Sequence, residues 1–268
     1  MIQTAFREKV RITGTLIFDT AFHIGSGKEG DLATDIGVLK DERSRPVLPG
    51  STLKGCFRAT AERLAGWLGF SACMLDAGLS GQKCVGDMDY FRSVKDQFQG
   101  IKGERHKIDW LRAHTCDVCR LFGSPLQASR IFFGDGRLGA WHGTYQVRDG
   151  VVIDRDSGTA RHGLKYDYEV VSPDTGFEVV IEMDNPEATE YALVAAVIAE
   201  WSSGFRLGGF TSRGLGRVVM TGIKSEYVDY GNPDHLKDYL LGRRMQPADD
   251  LLDAALRKVL KQQGGGEC

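Results

Sequence analysis

Three segments between His23 and Arg58 determine how this chain folds: HIGSGKEGD at 23–31, TDIGVLKD at 34–41 and RPVLPGSTLKGCFR at 45–58. A glycine-rich loop that contains carboxylates here runs into the start of a helix. We expect Ser51 or Thr52 to cap that helix, because a hydroxyl side chain accepts hydrogen bonds from the free N–H groups of a first turn. The same N–H groups suit a phosphate, since the helix dipole favours negative charge at this end.

Two cations follow on the same helix. Lys54 and Arg58 are four residues apart, so they share one face and are expected to reach a phosphate chain together. The alternative is an ordinary glycine turn followed by a solvated helix face.

Composition limits the classes of protein that this chain can belong to. Its 268 residues are enough for one sizeable domain, and a hydrophobic content of 42% suits a packed core. No run approaches the roughly 18 apolar residues of a membrane span, and the first residues lack the pattern of a signal peptide. We therefore expect a cytoplasmic protein without membrane contact, in which the six cysteines are reduced thiols or metal ligands rather than disulfides.

The charge balance argues against binding nucleic acid through bulk electrostatics. The formal net charge is −2, so any such binding must come from local patches, of which 40–63 and 92–112 are the most basic. The chain also has 34 glycines, where average usage would give roughly 19. This excess predicts many tight turns or close backbone contacts, not a helical bundle.

Hydrophobic periodicity predicts an α+β fold. Alternation predicts strands over 8–19 and 177–183, a short apolar run predicts another at 131–133, and a fourth is expected at 218–220 after the glycine-rich segment. Spacings of three and four predict a helix over 51–68. Asn185 as cap and Pro186 at the first position open a second helix, whose residues 188–201 are apolar nearly all round and are therefore expected to be buried. Two strand–helix halves in this order indicate a ferredoxin-like βαββαβ core. A polar helical region is expected from Asp234, and a projecting hairpin over 140–165.

Residues 70–128 show neither period and contain four cysteines, so we expect a surface insertion held together by metal. Cys116 and Cys119 form a C-x2-C pair, and Cys73 and Cys84 lie upstream. Four thiolates suit a structural tetrahedral zinc site, which would supply folding energy that the segment lacks. His106 or His114 could replace Cys73 or Cys84, and the cysteines could also be unrelated buried thiols.

A second glycine-rich segment spans 204–217. Such a loop leaves backbone N–H groups open to an anion, with Arg206, Arg213 and Arg217 adding positive charge. Phe205 and Phe210 could stack on bases or belong to the core. The alternative is a plain hairpin turn.

Four segments in this order resemble the signature segments of a known family. They are HIGSG from His23, VLPGSTLKG from Val47, CRLFG from Cys119 and GGFTSRGLG from Gly208. The sequence resembles the RAMP superfamily over about residues 10–220, and more narrowly the backbone subunits of type III CRISPR effector complexes.

The resemblance implies one RAMP domain over 1–268 with an RRM-like, that is ferredoxin-like, palm. The insertion 70–128 would be a zinc finger and the arm 140–165 a thumb that displaces bases. Neighbouring subunits of the complex would stack beside this one along a guide CRISPR RNA paired to a target RNA. The residues expected to contact RNA are His23, Gly25, Ser51, Lys54, Arg58, Gly209 and Arg213.

The resemblance also implies a catalytic aspartate in the loop after the first strand, which falls on Asp35, with Asp31 as the nearest rival. The chain would then be a metal-dependent endoribonuclease that cleaves target RNA within the complex. A divalent cation such as Mg²⁺ would stabilise the developing charge while the 2′-hydroxyl of the RNA attacks. Two alternatives remain open. One is a non-catalytic guide-binding subunit of the same kind of complex. The other is an endoribonuclease that processes guide RNA.

Overall fold

The computed structural model describes residues 6–25, 35–76, 78 and 81–264. Asp31, the rival candidate for the catalytic aspartate, lies outside these residues. The chain is α+β, as predicted, with a mostly antiparallel sheet.

The central strand of the sheet is β1 (Glu8–Phe18). Its apolar positions alternate as predicted, and Val10, Ile12, Leu16 and Phe18 are fully buried. Because side chains of a strand point alternately to its two faces, these four define the core face of the sheet.

The remaining strands extend the sheet on both sides of β1. In the described part of the chain the sheet has seven strands in the order β2-β6-β1-β8-β7, with β3 also on β6 and β9 on β8. All of these pairs are antiparallel. The strands are β2 (Ile131–Phe133), β3 (Arg137–Leu138), β6 (Thr175–Asp184), β7 (Phe205–Arg206), β8 (Arg217–Asp229) and β9 (Gln246–Pro247).

Two helices fill the core side: α1 (Gly50–Ala65), extended by a 3₁₀ turn at Gly66–Leu68, and α5 (Ala188–Ser203). They meet where the rings of Phe57 and Trp201 pack edge to face with centroids 5.0 Å apart. Both rings are fully buried, so this contact ties the two helices together beneath the sheet.

The prediction that Ser51 or Thr52 caps α1 is wrong. Pro49 stands at the cap position with no side-chain hydrogen bond, and the N–H of Gly50 donates to Asp135 Oδ1 at 2.7 Å. A Cβ on Gly50 would lie 2.5 Å from the carbonyl oxygen of Phe133. The helix start is therefore packed against the end of β2, and a carboxylate takes up part of the helix end expected to bind phosphate.

The cap predicted for the second helix is also wrong. Glu187, not Asn185, is the N-cap of α5 and forms a capping box with Glu190. The Asn185 side chain instead accepts from the N–H groups of Arg7 and Glu8 at 2.7 and 3.0 Å, which fastens the start of β1 to the end of β6.

The segment 70–128 has more regular structure than its sequence predicts. It contains α2 (Met88–Gly100), α3 (Glu104–His114) and α4 (Asp117–Phe122). Its four cysteines are buried in the same apolar cluster as Phe57 and Trp201, so this end of the segment is continuous with the main core rather than a surface addition.

A two-stranded hairpin stands apart from the main sheet. It is formed by β4 (Tyr145–Ile153) and β5 (Ala160–Val171), which pair antiparallel. The end of β5 returns to the body of the molecule, where Val171 bridges to Phe22. The predicted projecting hairpin is thus present, and its strands run further than expected, to residue 171.

The polar region from Asp234 contains two helices, α6 (Pro233–Gly242) and α7 (Asp249–Gly264). α7 packs against α5. Among the described residues, no helix combines the length and apolar character needed to cross a membrane.

Candidate functional site

A cleft of about 430 Å³ opens where three distant segments meet. Its walls come from the chain after β1, from the N-terminal half of α1, and from the glycine-rich loop that joins α5 to β8. The lining residues are His23, Ile24, Gly25, Thr52, Cys56, Arg206, Leu207, Gly208 and Gly209. The fold therefore brings together His23, Gly25 and Gly209, three of the residues predicted to contact RNA.

His23 is a buried polar side chain of this cleft. It is 5% exposed, and its ring nitrogen Nδ1 lies 2.7 Å from the carbonyl oxygen of Glu169. A carbonyl only accepts, so Nδ1 donates the proton and, in the neutral ring, Nε2 is an acceptor. The backbone of His23 is fixed as well, since its carbonyl accepts from the N–H of Gly209 at 2.8 Å.

Glycines allow the backbone to approach the edge of the His23 ring closely. A Cβ on Gly25 would lie 2.9 Å from Nε2, and a Cβ on Gly209 would lie 3.2 Å from Cδ2 of the same ring. Gly208 has φ +99°, and its Cβ would lie 2.4 Å from the His23 carbonyl oxygen. Larger residues at these positions would cover Nε2 or push the loop away from His23.

The three arginines of the glycine-rich segment differ in their contacts, and Arg217, at the start of β8, pairs with Asp19 at 3.3 Å. Arg206 lines the cleft, is exposed, and its guanidinium makes no ion pair with the described residues. The guanidinium of Arg213 donates to the hydroxyl of Tyr166 on the hairpin and lies 5.6 Å from the ring centroid of Phe210. Arg213 thus joins the loop to the base of the hairpin.

The two phenylalanines of the loop are packed against protein. Phe205 is buried and stacks on Trp201 at a centroid distance of 4.1 Å, so it belongs to the core. Phe210 stacks on Tyr168 at 4.4 Å and meets His23 edge to face at 5.3 Å.

The other three predicted contacts on α1 do not line the cleft. Ser51 is exposed at the start of the helix. Lys54 Nζ donates to Ser129 Oγ at 2.8 Å, and burial lowers the pKa of its ammonium. The guanidinium of Arg58 donates to Glu62 and to Cys119. Lys54 and Arg58 do share one face, as predicted, but that face points toward the cysteine-rich segment.

Asp35 lies beside the hairpin strand β5. It is exposed, its N–H donates to Asp167 Oδ1 at 2.7 Å, and the N–H of Asp167 donates to Asp35 Oδ2 at 2.9 Å. These reciprocal bonds hold two carboxylates side by side, two residues along β5 from Glu169, the residue whose carbonyl binds His23.

Asp167 and Glu169 also belong to this site, although neither was predicted as a site residue. Glu169 forms an ion pair with Lys40 at 2.7 Å and accepts from the N–H of Val38, which attaches the segment after Asp35 to β5. The signal was present in the sequence, because Tyr166, Tyr168 and Val170 alternate with the two acids as they would in a strand.

The four cysteines form a compact metal-ligand set. Their sulfur atoms all lie within 4.8 Å of one another, and every cysteine is at most 3% exposed. Tetrahedral zinc with Zn–S bonds of about 2.3 Å places its sulfurs roughly 3.8 Å apart, and Cys73 Sγ and Cys119 Sγ are 3.5 Å apart. The glycine at position 86 leaves room for the sulfurs, because a Cβ there would lie 2.4 Å from Cys119 Sγ. The set is able to hold a metal ion and is compatible with structural zinc.

The histidine alternatives are not needed for this set. His114 Nδ1 lies 2.8 Å from the carbonyl oxygen of Trp110, and its ring stacks on that indole at 3.9 Å. Among the described residues, the cysteines are the one group of three or more potential metal ligands.

The cleft is lined by glycine backbone and by Arg206, which makes no ion pair within the described residues, so it offers hydrogen-bond donors to an anion. The family model of the RAMP superfamily matches residues 15–219. This match covers most of the chain and includes the cleft, the cysteines and Asp35, so the chain belongs to the RAMP superfamily. Membership implies a CRISPR-associated, RNA-binding protein. No curated protein matches the sequence.

Proposed function

We propose that this chain is a guide-RNA-binding backbone subunit of a type III CRISPR ribonucleoprotein and that it cleaves complementary target RNA at Asp35. The proposal is supported by one observation: strand β5 forms hydrogen bonds with both His23 and Asp35. The same strand holds His23 in the cleft through Glu169 and holds Asp35 at the surface through Asp167.

The proposed palm is ferredoxin-like. The order of β2, β6, β1 and β8 in the sheet, with α1 after β1 and α5 after β6, is the arrangement expected of a βαββαβ core. In this reading the hairpin β4–β5 is the thumb that displaces bases, and the four cysteines hold a structural zinc. The subunit would act in the cytoplasm beside neighbouring RAMP subunits.

The guide strand would follow the cleft between His23, α1 and the glycine-rich loop. Arg206 and Arg213 would contact phosphates, and the loop lets the RNA backbone approach closely. In the neutral ring His23 Nε2 accepts, which would suit the 2′-hydroxyl of a ribose, the group that distinguishes RNA from DNA. RNA contact by Ser51, Lys54 and Arg58 stays a prediction, because none of them lines the cleft.

Cleavage would use the chemistry that RNA carries. The 2′-oxygen attacks the adjacent phosphorus, the bond to the 5′-oxygen breaks, and a 2′,3′-cyclic phosphate and a 5′-hydroxyl result. The thumb would align these atoms by displacing a base, which is a positioning effect. One oxygen each of Asp35 and Asp167 accepts the other residue's N–H, so the second oxygen of each could hold Mg²⁺ together with an RNA phosphate. A bound cation would stabilise the charge that develops on the phosphate.

The test is cleavage of labelled target RNA by the assembled complex carrying Asp35→Asn. The asparagine keeps an oxygen for the N–H of Asp167 and loses the negative charge. We expect cleavage to fall by at least about 10²-fold, the size of a lost catalytic group, while guide and target binding stay unchanged. Asp89→Asn, an exposed residue of α2 paired with Arg92, is the control and should cleave normally.

Unchanged cleavage by Asp35→Asn would favour a non-catalytic guide-binding subunit. One observation supports that second function. Only two carboxylates meet at Asp35 in the described part of the chain, and neither belongs to a group of three metal ligands there.

A further inference from the structure

Arg58 occupies an unusual position for a cation on α1. Its side chain is only 17% exposed, and its Nη2 donates to Cys119 Sγ at 3.0 Å across 61 residues of sequence. Nε of the same guanidinium donates to Glu62 Oε1 at 2.9 Å. The planar fork of the guanidinium therefore faces the metal-ligand set on one side and a carboxylate on the other.

The hydrogen-bond donors to the cysteine sulfurs differ in charge. Cys84 Sγ accepts from the backbone N–H groups of Gly86 and Cys116 at 3.3 and 3.2 Å, and Cys116 Sγ accepts from that of Cys119 at 3.4 Å. Among the described residues, Arg58 is the one charged group that donates to a sulfur of the set.

The charge of a metal-loaded set explains why such a donor matters. Four thiolates and one Zn²⁺ carry a net charge of −2, and the cysteines are buried, where an uncompensated charge is strongly unfavourable. Donors that hydrogen-bond to the ligands of a metal orient them, and removing one costs about 10- to 100-fold in metal affinity.

We propose that Arg58 is the positioning residue and counter-charge of the cysteine metal site, and that it fastens α1 to the cysteine-rich segment through Cys119. The proposal rests on zinc binding by the four cysteines, as proposed above. It assigns Arg58 to the metal site rather than to the RNA. Since Thr52 and Cys56 of the same helix line the RNA cleft, the metal site would also help to hold one wall of that cleft.

The experiment measures zinc affinity of the full chain by competition with a chromophoric chelator, for the wild type, Arg58→Met, Arg58→Lys and Lys54→Met. Met keeps most of the apolar stem and removes the charge and the donors. We expect Arg58→Met to weaken zinc binding about 10- to 100-fold. Arg58→Lys should recover part of this loss, because an ammonium restores the charge but not the fork that reaches both Glu62 and Cys119.

Lys54→Met is the matched control, one turn earlier on the same face and bonded to Ser129. It should leave zinc affinity within about twofold, as expected of a group that touches no ligand. A second readout is the thiolate-to-metal charge-transfer absorption of the Co²⁺-loaded protein. This absorption should shift in Arg58→Met and not in Lys54→Met. A general loss of stability would not shift the absorption of the bound metal.

The outcomes separate the two proposals. A wild type that binds no zinc would remove the zinc site itself. A wild type that binds zinc, with Arg58→Met binding equally well and absorbing alike, would overturn the role of Arg58 and leave the zinc site standing. If Arg58→Met does not fold, Arg58→Lys decides: weaker zinc binding than wild type supports the proposal, and equal binding overturns it.

Discussion

Replacing Gly208 by alanine tests the packing that forms the cleft. The added Cβ would lie 2.4 Å from the His23 carbonyl oxygen, whereas ordinary contacts begin at 3.4 Å, so the loop or His23 must move by about 1 Å. That movement would disturb the hydrogen bond from the N–H of Gly209 to the same oxygen. The residue also has φ +99°, which strains any residue with a side chain.

These effects have separate sizes. The backbone strain is worth about 1 kcal/mol, the overpacking about 1–3 kcal/mol, and the weakened hydrogen bond up to about 1 kcal/mol. We expect Gly208→Ala to lower the free energy of unfolding by about 3 kcal/mol in total. It should also weaken RNA binding, because His23 and the loop form opposite sides of the same cleft.

Gly214→Ala is the matched control. Gly214 has φ +86° in the same loop, but its Cβ would meet nothing within 4 Å, so only the strain of about 1 kcal/mol applies. Unfolding in urea, followed by circular dichroism, should show Gly208→Ala to be less stable than Gly214→Ala by about 2 kcal/mol. Equal losses in the two variants would refute the close approach of the loop to His23.

Three further predictions concern the core, the pH dependence and the metal. Phe57→Ala should lower the free energy of unfolding by about 3–5 kcal/mol in urea titration, because the fully buried ring contacts Trp201; a loss under 1 kcal/mol would contradict this packing. Burial raises the pKa of the Glu190 carboxyl to about 7. Its protonated form therefore stabilises the fold by up to about 3 kcal/mol at pH values below its unfolded pKa of about 4.3. This contribution is lost as the pH rises through 7. Glu190→Gln should remove that part of the pH dependence, and an unchanged profile would contradict the assignment. Purified chain should hold close to one zinc by elemental analysis, and a strong chelator should lower its melting temperature; zinc-free chain with an unchanged melting temperature would contradict a structural metal.

The regular elements could be predicted from the sequence because their signals are local. The alternation in β1 and the helical spacing around Phe57 each place one face toward the core, and the structure follows both patterns. The cysteine set was also predictable, since a C-x2-C pair with two further cysteines upstream is typical of a metal-ligand set.

The errors arose where distant residues decide the local structure. Asp135 binds the start of α1, more than 80 residues away in sequence, and replaces the hydroxyl cap that local rules predict. Asn185 does not cap α5, because its side chain accepts from the N–H groups of Arg7 and Glu8, more than 170 residues away. In both cases a partner distant in sequence outweighed a local preference that is worth only about 1 kcal/mol.

The most direct test of the central claim is to locate guide RNA on the protein by photocrosslinking. The complex would be assembled on a guide carrying 4-thiouridine, irradiated, and the crosslinked peptides identified by mass spectrometry. We expect crosslinks in the segments around His23, Cys56 and Arg206, which form the cleft. Crosslinks confined instead to the larger cleft of about 810 Å³ between α3 and the start of β1 would contradict this expectation.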